Sequence, residues 1–470
     1  MKKVFLFSCC FLLHLMIYGQ TVSQKLLSAY NLFMKDPQLK YAISSLYVID
    51  AATGQVVFDK NSRVGLADAS TQKIITSATA FELLGKNFQY KTTIGYDMSI
   101  ENNELTGNLY IKGDGDPTLG SNRWKLTKDS AVLYQLRGIL KKNGISKIRG
   151  DIWFDDFSHG GPNPVPGGWI WEDIGNYYGA GAGAINWKEN QYELLLKPGE
   201  RVGDPAEVIK TEPELNDLTI GNFIRTGKPG SGDNGYIYTS PRSNVAIATG
   251  TIPAGTKSFS ISGSMPNPSK VFAVSVASFL EKNTIPFNTV KMYSGSIMDG
   301  KGIRRMTSVL DSLTSPPLDS INYWFLKKSI NLYGEALLKT LALTKYLTAD
   351  TDSGIMVVKD FWKQKGIDPG ELNLYEGSGL SPMNRVTTHA QVEVLKYAKR
   401  QNWFSSYLNA FPEYNGMSMK SGSIGDVKGF AGYHTAKNGK TYIFSFLVNN
   451  YNGNSSSLVS KMYTVLNQLK

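Results

Sequence analysis

Ser70 and Lys73 stand three residues apart in Ala69-Ser70-Thr71-Gln72-Lys73, heading a helical pattern continued by Ile74, Ile75, Ala78, Phe81 and Leu84. Residues three apart on a helix share a face, so the lysine amine can reach the serine hydroxyl. That hydroxyl is a weak nucleophile until a neighbouring base takes its proton. A helix N-terminus also offers oriented N–H groups where an oxyanion would form. The chemistry open to this pair is acyl transfer through an ester on Ser70. A helix-capping serine followed by a solvated lysine would look the same. Two later segments bear on the choice: Lys328-Ser329-Ile330-Asn331 ahead of a helical run, and Lys420-Ser421-Gly422-Ser423 ahead of two β-rich runs.

Composition removes most competing chemistry. The chain has 470 residues, 41% hydrophobic and 19% charged, enough for several domains with real cores and too apolar for disorder. Its only two cysteines, Cys9 and Cys10, are adjacent, which excludes a disulfide scaffold, a cysteine zinc site and a redox pair. Four histidines argue against a multi-histidine metal centre.

Lys2 and Lys3 precede an uncharged apolar run from Val4 to Tyr18 and then Gly19, the pattern of a secretory leader cleaved near residues 19–21. The run is short for a membrane span, and it continues past Cys9 instead of stopping there as a lipidated cysteine would require. Removing residues 1–20 takes the formal charge from +11 to +9, with both cysteines and His14. The product is expected to be exported and periplasmic, with His159, His389 and His434 as structural or surface residues. Its positive balance would favour anionic envelope surfaces. Dispersed lysines serving solubility explain it as well, and no dense basic tract suggests nucleic acid.

The elements that must position Ser70 come from both chain ends. A helix is expected near Val22–Phe33, a hairpin around Ala51-Ala52-Thr53-Gly54, and a helix from Ser70 to Gly85. Helices return at Leu332–Leu343 and Ala390–Lys399. Strands at Gly429–Thr435 and Thr441–Val448 flank Lys437-Asn438-Gly439-Lys440, a strong hairpin signal, before a last helix over Ser456–Leu469. Between about Tyr90 and Gly300, short β-like runs alternate with turns, with helices at Leu133–Lys142 and Val271–Lys282. The pattern suits an α+β fold: an antiparallel sheet with helices packed on it, interrupted by a long insert.

S-x-x-K, S-x-N and K-[ST]-G in this order are the three signatures of the serine penicillin-recognising enzymes. Ser320-Ile321-Asn322 and Arg225-Thr226-Gly227 are decoys: the first follows an apparent helix cap at Asp319, and the second lies inside the insert. In these motifs the chain resembles the class C low-molecular-mass penicillin-binding proteins, the D-alanyl-D-alanine carboxypeptidase/endopeptidases. Further matches are Phe81-Glu82-Leu83-Leu84-Gly85, Leu109–Leu119, Gly168–Asp173, Lys328–Glu335 and Gly377-Ser378-Gly379-Leu380-Ser381, so the likeness spans about residues 65 to 450.

The resemblance implies a penicillin-binding transpeptidase-like domain from residues 21–92 and 298–470. Residues 93–297 would be a mainly β insert forming two smaller domains. It implies Ser70 as nucleophile, Lys73 as its base, Ser329 as proton relay, and Asn331 holding the substrate amide. Lys420 and Ser421 would hold the terminal carboxylate, with Gly422 in the same segment. The Ser70 and Ser423 N–H groups would form the oxyanion hole, and Asp173 and Tyr178 would reach toward substrate from the insert. The implied partners are peptidoglycan peptides and, as covalent ligands, β-lactams, and the resemblance implies no metal or organic cofactor.

Three residues depart from the family pattern. Ser421 replaces the usual Thr, Glu376 the usual Asp, and Pro382 an Arg that grips a carboxylate on the peptide side chain; Arg385 could substitute. A serine β-lactamase and a non-catalytic wall-binding module remain alternatives. No motif separates carboxypeptidase from endopeptidase action or bears on oligomeric state.

Overall fold

The computed structural model describes residues 20–161 and 163–470. The expected leader, with Cys9, Cys10 and His14, lies outside the described residues. Among those described, no helix is long and apolar enough to cross a membrane.

Alternation along the strands builds the central layer. The chain is α+β, around a six-stranded antiparallel sheet ordered Val56–Lys60, Ile43–Asp50, Thr441–Asn449, Val427–Thr435, Met417–Ile424 and Glu413–Tyr414. Successive side chains on a strand face opposite ways. Leu46, Val48, Phe444 and Phe446 therefore pack under the terminal helices Val22–Phe33 and Ser455–Leu466. Tyr47, Ile49 and Ile443 face the other core, with helices Lys73–Leu83, Leu318–Lys327, Asn331–Ala342 and Thr388–Ala398. Both expected hairpins are present, and each expected helix lies within a few residues of its place.

The intervening chain forms two further cores. A five-stranded sheet runs Val290–Met292, Ile152–Asp155, Leu109–Lys112, Lys91–Tyr96 and Ser308–Thr314, packed by helices Asp129–Lys142 and Pro268–Lys282. Its two parallel pairs, Leu109 with Ile152 and Val290 with Ile152, need crossovers, and those helices supply them. This unit mixes its sheet with the two helices. Its edge strand Ser308–Thr314 pairs with Lys91–Tyr96, so the sheet reaches beyond both expected limits, 93 and 297. The expectation missed this because the 308–314 strand follows a long loop and is specified only by its partner. The other core is all β: the sheet of Glu207–Glu212, Gln191–Lys197 and Phe259–Ser264 closes on the sheet around Val245–Pro253, burying Tyr192, Leu194, Leu196, Ile237, Ala248 and Ile261.

Candidate active site

Ser70 sits in a tight 3-10 turn, Ala69–Gln72, which runs into the α-helix starting at Lys73. The sequence suggested one continuous helix; tertiary packing tightens its first turn instead. Ala69 has φ of +46°, a left-handed backbone that costs a non-glycine residue about 1–3 kcal/mol. Surrounding contacts enforce it. Gln391, on the Thr388–Ala398 helix, donates to Thr71 Oγ1 at 2.8 Å and to Asp68 Oδ2 at 3.2 Å, and accepts from Ser445 Oγ at 2.6 Å.

Two glycines let other segments reach this turn. A Cβ on Gly422 would lie 2.9 Å from the Ser70 nitrogen and 2.7 Å from the Asp68 oxygen, so only glycine brings the lysine strand, Met417–Ile424, against the Ser70 turn. Gly379, at φ +85°, stands so close that a Cβ would overlap the Ala69 carbonyl oxygen. Gly379→Ala is accordingly expected to lower both thermal stability and the penicillin acylation rate, the latter at least about tenfold, since Ser70 must shift. Gly439→Ala is the control: it shares a left-handed φ of +81° but has open space around it. It should lose a little stability and no acylation rate.

Lys73 is fully buried and its amine is saturated. Nζ lies 2.9 Å from Ser70 Oγ, 2.6 Å from Asn331 Oδ1 and 2.5 Å from the Ser378 carbonyl oxygen. Burial pulls its pKa down to about 8, against an opposing pull in which Glu376 is foremost. Lys420 is also buried, donating to the Ser421 carbonyl oxygen at 2.8 Å. Burial, with Lys73 and Lys428 nearby, pushes it well below the ordinary lysine range. Two buried amines beside one serine make a pocket that favours an anion.

Asn331 opens the helix Asn331–Ala342 and donates through Nδ2 to the Tyr178 carbonyl oxygen at 2.8 Å, which ties the insert to the site. Ser329 precedes it in a left-handed turn, φ +58°, partly exposed and without a side-chain hydrogen bond among the described residues. Tyr178 hydrogen-bonds the half-buried Asp173, whose pKa burial pushes up to about 6. Trp169 is buried, whereas Trp171 and Tyr177 are about half exposed beside this segment.

The decoys have other tasks. Asn322 is buried in the core, accepting from Ser77 Oγ at 2.5 Å. Asp319 is not the cap, since Pro317 holds that position. Thr226 lies buried on a short strand of the β unit. Arg385 does not extend toward the site; its guanidinium folds back onto the Pro382 and Asn384 carbonyl oxygens at 2.6 and 2.7 Å. His389 pairs with Glu371 at 2.9 Å, and His159 is buried, its pKa lowered to about 4 by burial. Among the described residues, no group of three or more His, Cys, Asp or Glu is placed to hold a metal.

Sequence reasoning missed the Ser378 carbonyl and Asp68 as neighbours of Lys73. A backbone oxygen carries no side-chain signal, and Asp68 lies before the motif. The fold and the Ser–Lys–Asn–Lys arrangement define a serine acyl-transfer enzyme of the penicillin-recognising kind. The chain belongs to the D-Ala-D-Ala carboxypeptidase 3 (S13) family, whose model matches residues 26–414, and is thereby a serine-type DD-peptidase. It is 26% identical to a D-alanyl-D-alanine carboxypeptidase of Actinomadura sp. (strain R39) over 385 residues, 81% of this chain and 69% of that one. It is also 26% identical to D-alanyl-D-alanine carboxypeptidase DacB of Haemophilus influenzae over 422 residues, 84% of this chain and 83% of the relative. The crystal structure of penicillin binding protein 4 of that organism has the same fold: TM-score 0.78 at 23% identity, covering 93% of this chain and 98% of that one. The same protein complexed with a β-lactam aligns with a TM-score of 0.73 at 22% identity, over 94% and 98%.

Proposed function

We propose that this chain acts on peptidoglycan stem peptides, as a D-Ala-D-Ala carboxypeptidase, a cross-link endopeptidase or both, through an acyl-enzyme on Ser70 that β-lactams also form. The observation that carries this is the buried Lys73 amine 2.9 Å from Ser70 Oγ, with its pKa drawn down to about 8. In its neutral form the amine keeps two N–H donors, for Asn331 Oδ1 and the Ser378 carbonyl, and turns its lone pair to the Ser70 proton. Ser70 Oγ bonds to the carbonyl carbon of the penultimate D-Ala as its proton passes to Lys73. The Ser70 and Ser423 N–H groups would hold the oxyanion. The C–N bond then breaks, the leaving amine receives a proton through Ser329, and water frees the peptide by attack on the ester.

The lysine strand supports the binding half of this reading. Its outer neighbour, Glu413–Tyr414, pairs only with Met417 and Ser418, so Lys420–Ile424 keeps a free edge on which an extended peptide can add as a strand. Lys420 and Ser421 would take the terminal carboxylate, a charge-assisted contact. Asp173 and Tyr178 would wall the peptide on the insert side. Export to the periplasm, by the leader expected in residues 1–20, would bring the enzyme to that substrate.

Incubation with a labelled penicillin and with defined muropeptides tests the proposal. A lasting adduct on Ser70, with D-Ala release or cross-link cleavage, is the expected result. Penicillin turned over quickly without a lasting adduct would make the protein a β-lactamase, and no reaction with either substrate would overturn the catalytic reading.

A further inference from the structure

Two glutamates lie wholly buried behind Lys73, and the mechanism above uses neither. Glu376 is an acceptor on every side. Its Oε2 takes the Ser378 N–H at 2.8 Å and the Ser378 hydroxyl at 2.5 Å, while Oε1 takes the Gly379 N–H at 2.7 Å and Asn384 Nδ2 at 2.6 Å. Gln72 Nε2 adds a longer bond to Oε1, at 3.3 Å, and a short one to the Glu376 carbonyl. A carboxyl ringed by donors is in its ionised form. Glu335, on the Asn331–Ala342 helix, receives the Gly377 N–H at 3.1 Å on one oxygen and 3.2 Å on the other, and hydrogen-bonds Glu376. Two touching buried carboxyls cannot both be charged, so one proton lies between them, and the donor ring assigns it to Glu335.

We propose that Glu335 and Glu376 form a carboxylic acid–carboxylate pair, and that its single charge, on Glu376, both positions the Ser378 carbonyl against Lys73 and sets the pH at which Lys73 becomes a base. The directions of the shifts agree: burial and Glu376 drive Glu335 well above the ordinary carboxyl range, while at Glu376 burial pushes upward but is outweighed by hydrogen bonds, led by that of Glu335, which hold it below that range. The other charged or titratable groups around Lys73 are Asp68, itself driven upward by burial and Glu376, and Lys420 on the lysine strand; Lys339 lies on the far side of Glu335. Glu376 touches neither Ser70 nor substrate. It is a positioning residue that acts through two consecutive loop residues, Ser378 and Gly379.

The inference rests on Lys73 being the base, and the wild-type profile shows whether it is. The test is the rate constant of penicillin acylation measured from pH 5 to 10, alongside thermal unfolding, for the wild type, Glu335→Gln, Glu376→Gln and Glu376→Asp. Without an acid limb near pH 8 in the wild type the base assignment fails, separately from the pair. With that limb present, Glu335→Gln should leave it in place, because an amide N–H donates to Glu376 as the acid does. Glu376→Gln removes the charge that favours the ammonium and should move the limb down by at least about half a unit. Glu376→Asp keeps the charge and should slow acylation without moving the limb. A limb that moves in Glu335→Gln overturns the pair, as does one that stays fixed in Glu376→Gln. Should Glu376→Gln fail to fold, a moved limb in Glu376→Asp or Glu335→Gln overturns the proposal and fixed limbs in both support it.

Discussion

Ser70→Ala is expected to eliminate covalent labelling by penicillin and to cut DD-peptidase turnover by at least about 10³-fold. No neighbouring side chain can replace the hydroxyl. The Lys73 amine lies behind Ser70, committed to Asn331 Oδ1 and the Ser378 carbonyl, and Thr71 Oγ1 is spent on the Asp68 carbonyl at 2.6 Å and on Gln391. The alanine variant should fold normally, because the tight turn is held by backbone and by Gln391, none of which depends on Ser70 Oγ. Mass spectrometry of the penicillin-treated protein and D-Ala release from a pentapeptide give the two readouts. A Ser70→Ala protein that still carries the acyl mass would move the nucleophile elsewhere.

Lys73→Met should be nearly as damaging, with acylation slower by about 10²–10⁴-fold. Methionine matches the lysine stem in length and suits full burial, so the change removes the amine with little change of volume. It leaves the Asn331 and Ser378 acceptors unpaired, at about 1–3 kcal/mol in stability. The sign of the pH effect separates base from structural support. If Lys73 is the base as proposed, the neutral amine is the active form, so the wild-type rate should climb as pH rises through about 8 and then level off. The methionine variant should show a low rate with no rise there. A variant that keeps the rise would place the base on another group.

Much of this site was legible because its first pair is local. Ser70 and Lys73 meet through the geometry of one helical turn, and the motif order singled out Asn331 and Lys420 from their decoys. The hairpins around Gly54 and Asn438 and the amphipathic terminal helices were equally legible, since turn chemistry and a 3.6-residue period act over a few residues. The near-continuous apolar run in Thr441–Asn449 marks two-sided burial for the same reason. Less visible was the extent of the inserted sheet, because the strand Ser308–Thr314 carries few local strand signals and gains its place only by pairing with Lys91–Tyr96.

By itself, then, the sequence determined the chemistry: a serine and a lysine on one turn, two partner motifs in order, and no thiol or histidine cluster to offer another route. Tertiary structure alone decided how that chemistry is powered. Lys73 meets Asn331 across 258 positions and the Ser378 carbonyl across 305. Its lowered pKa comes from burial that several elements create jointly. The left-handed backbone at Ala69 and Ser329, and the glutamate pair behind the lysine, likewise exist only because distant segments hold them. A spacing rule sees contacts within one element; proton affinity depends on every charge and on all the solvent excluded around a group, and those are properties of the assembled fold.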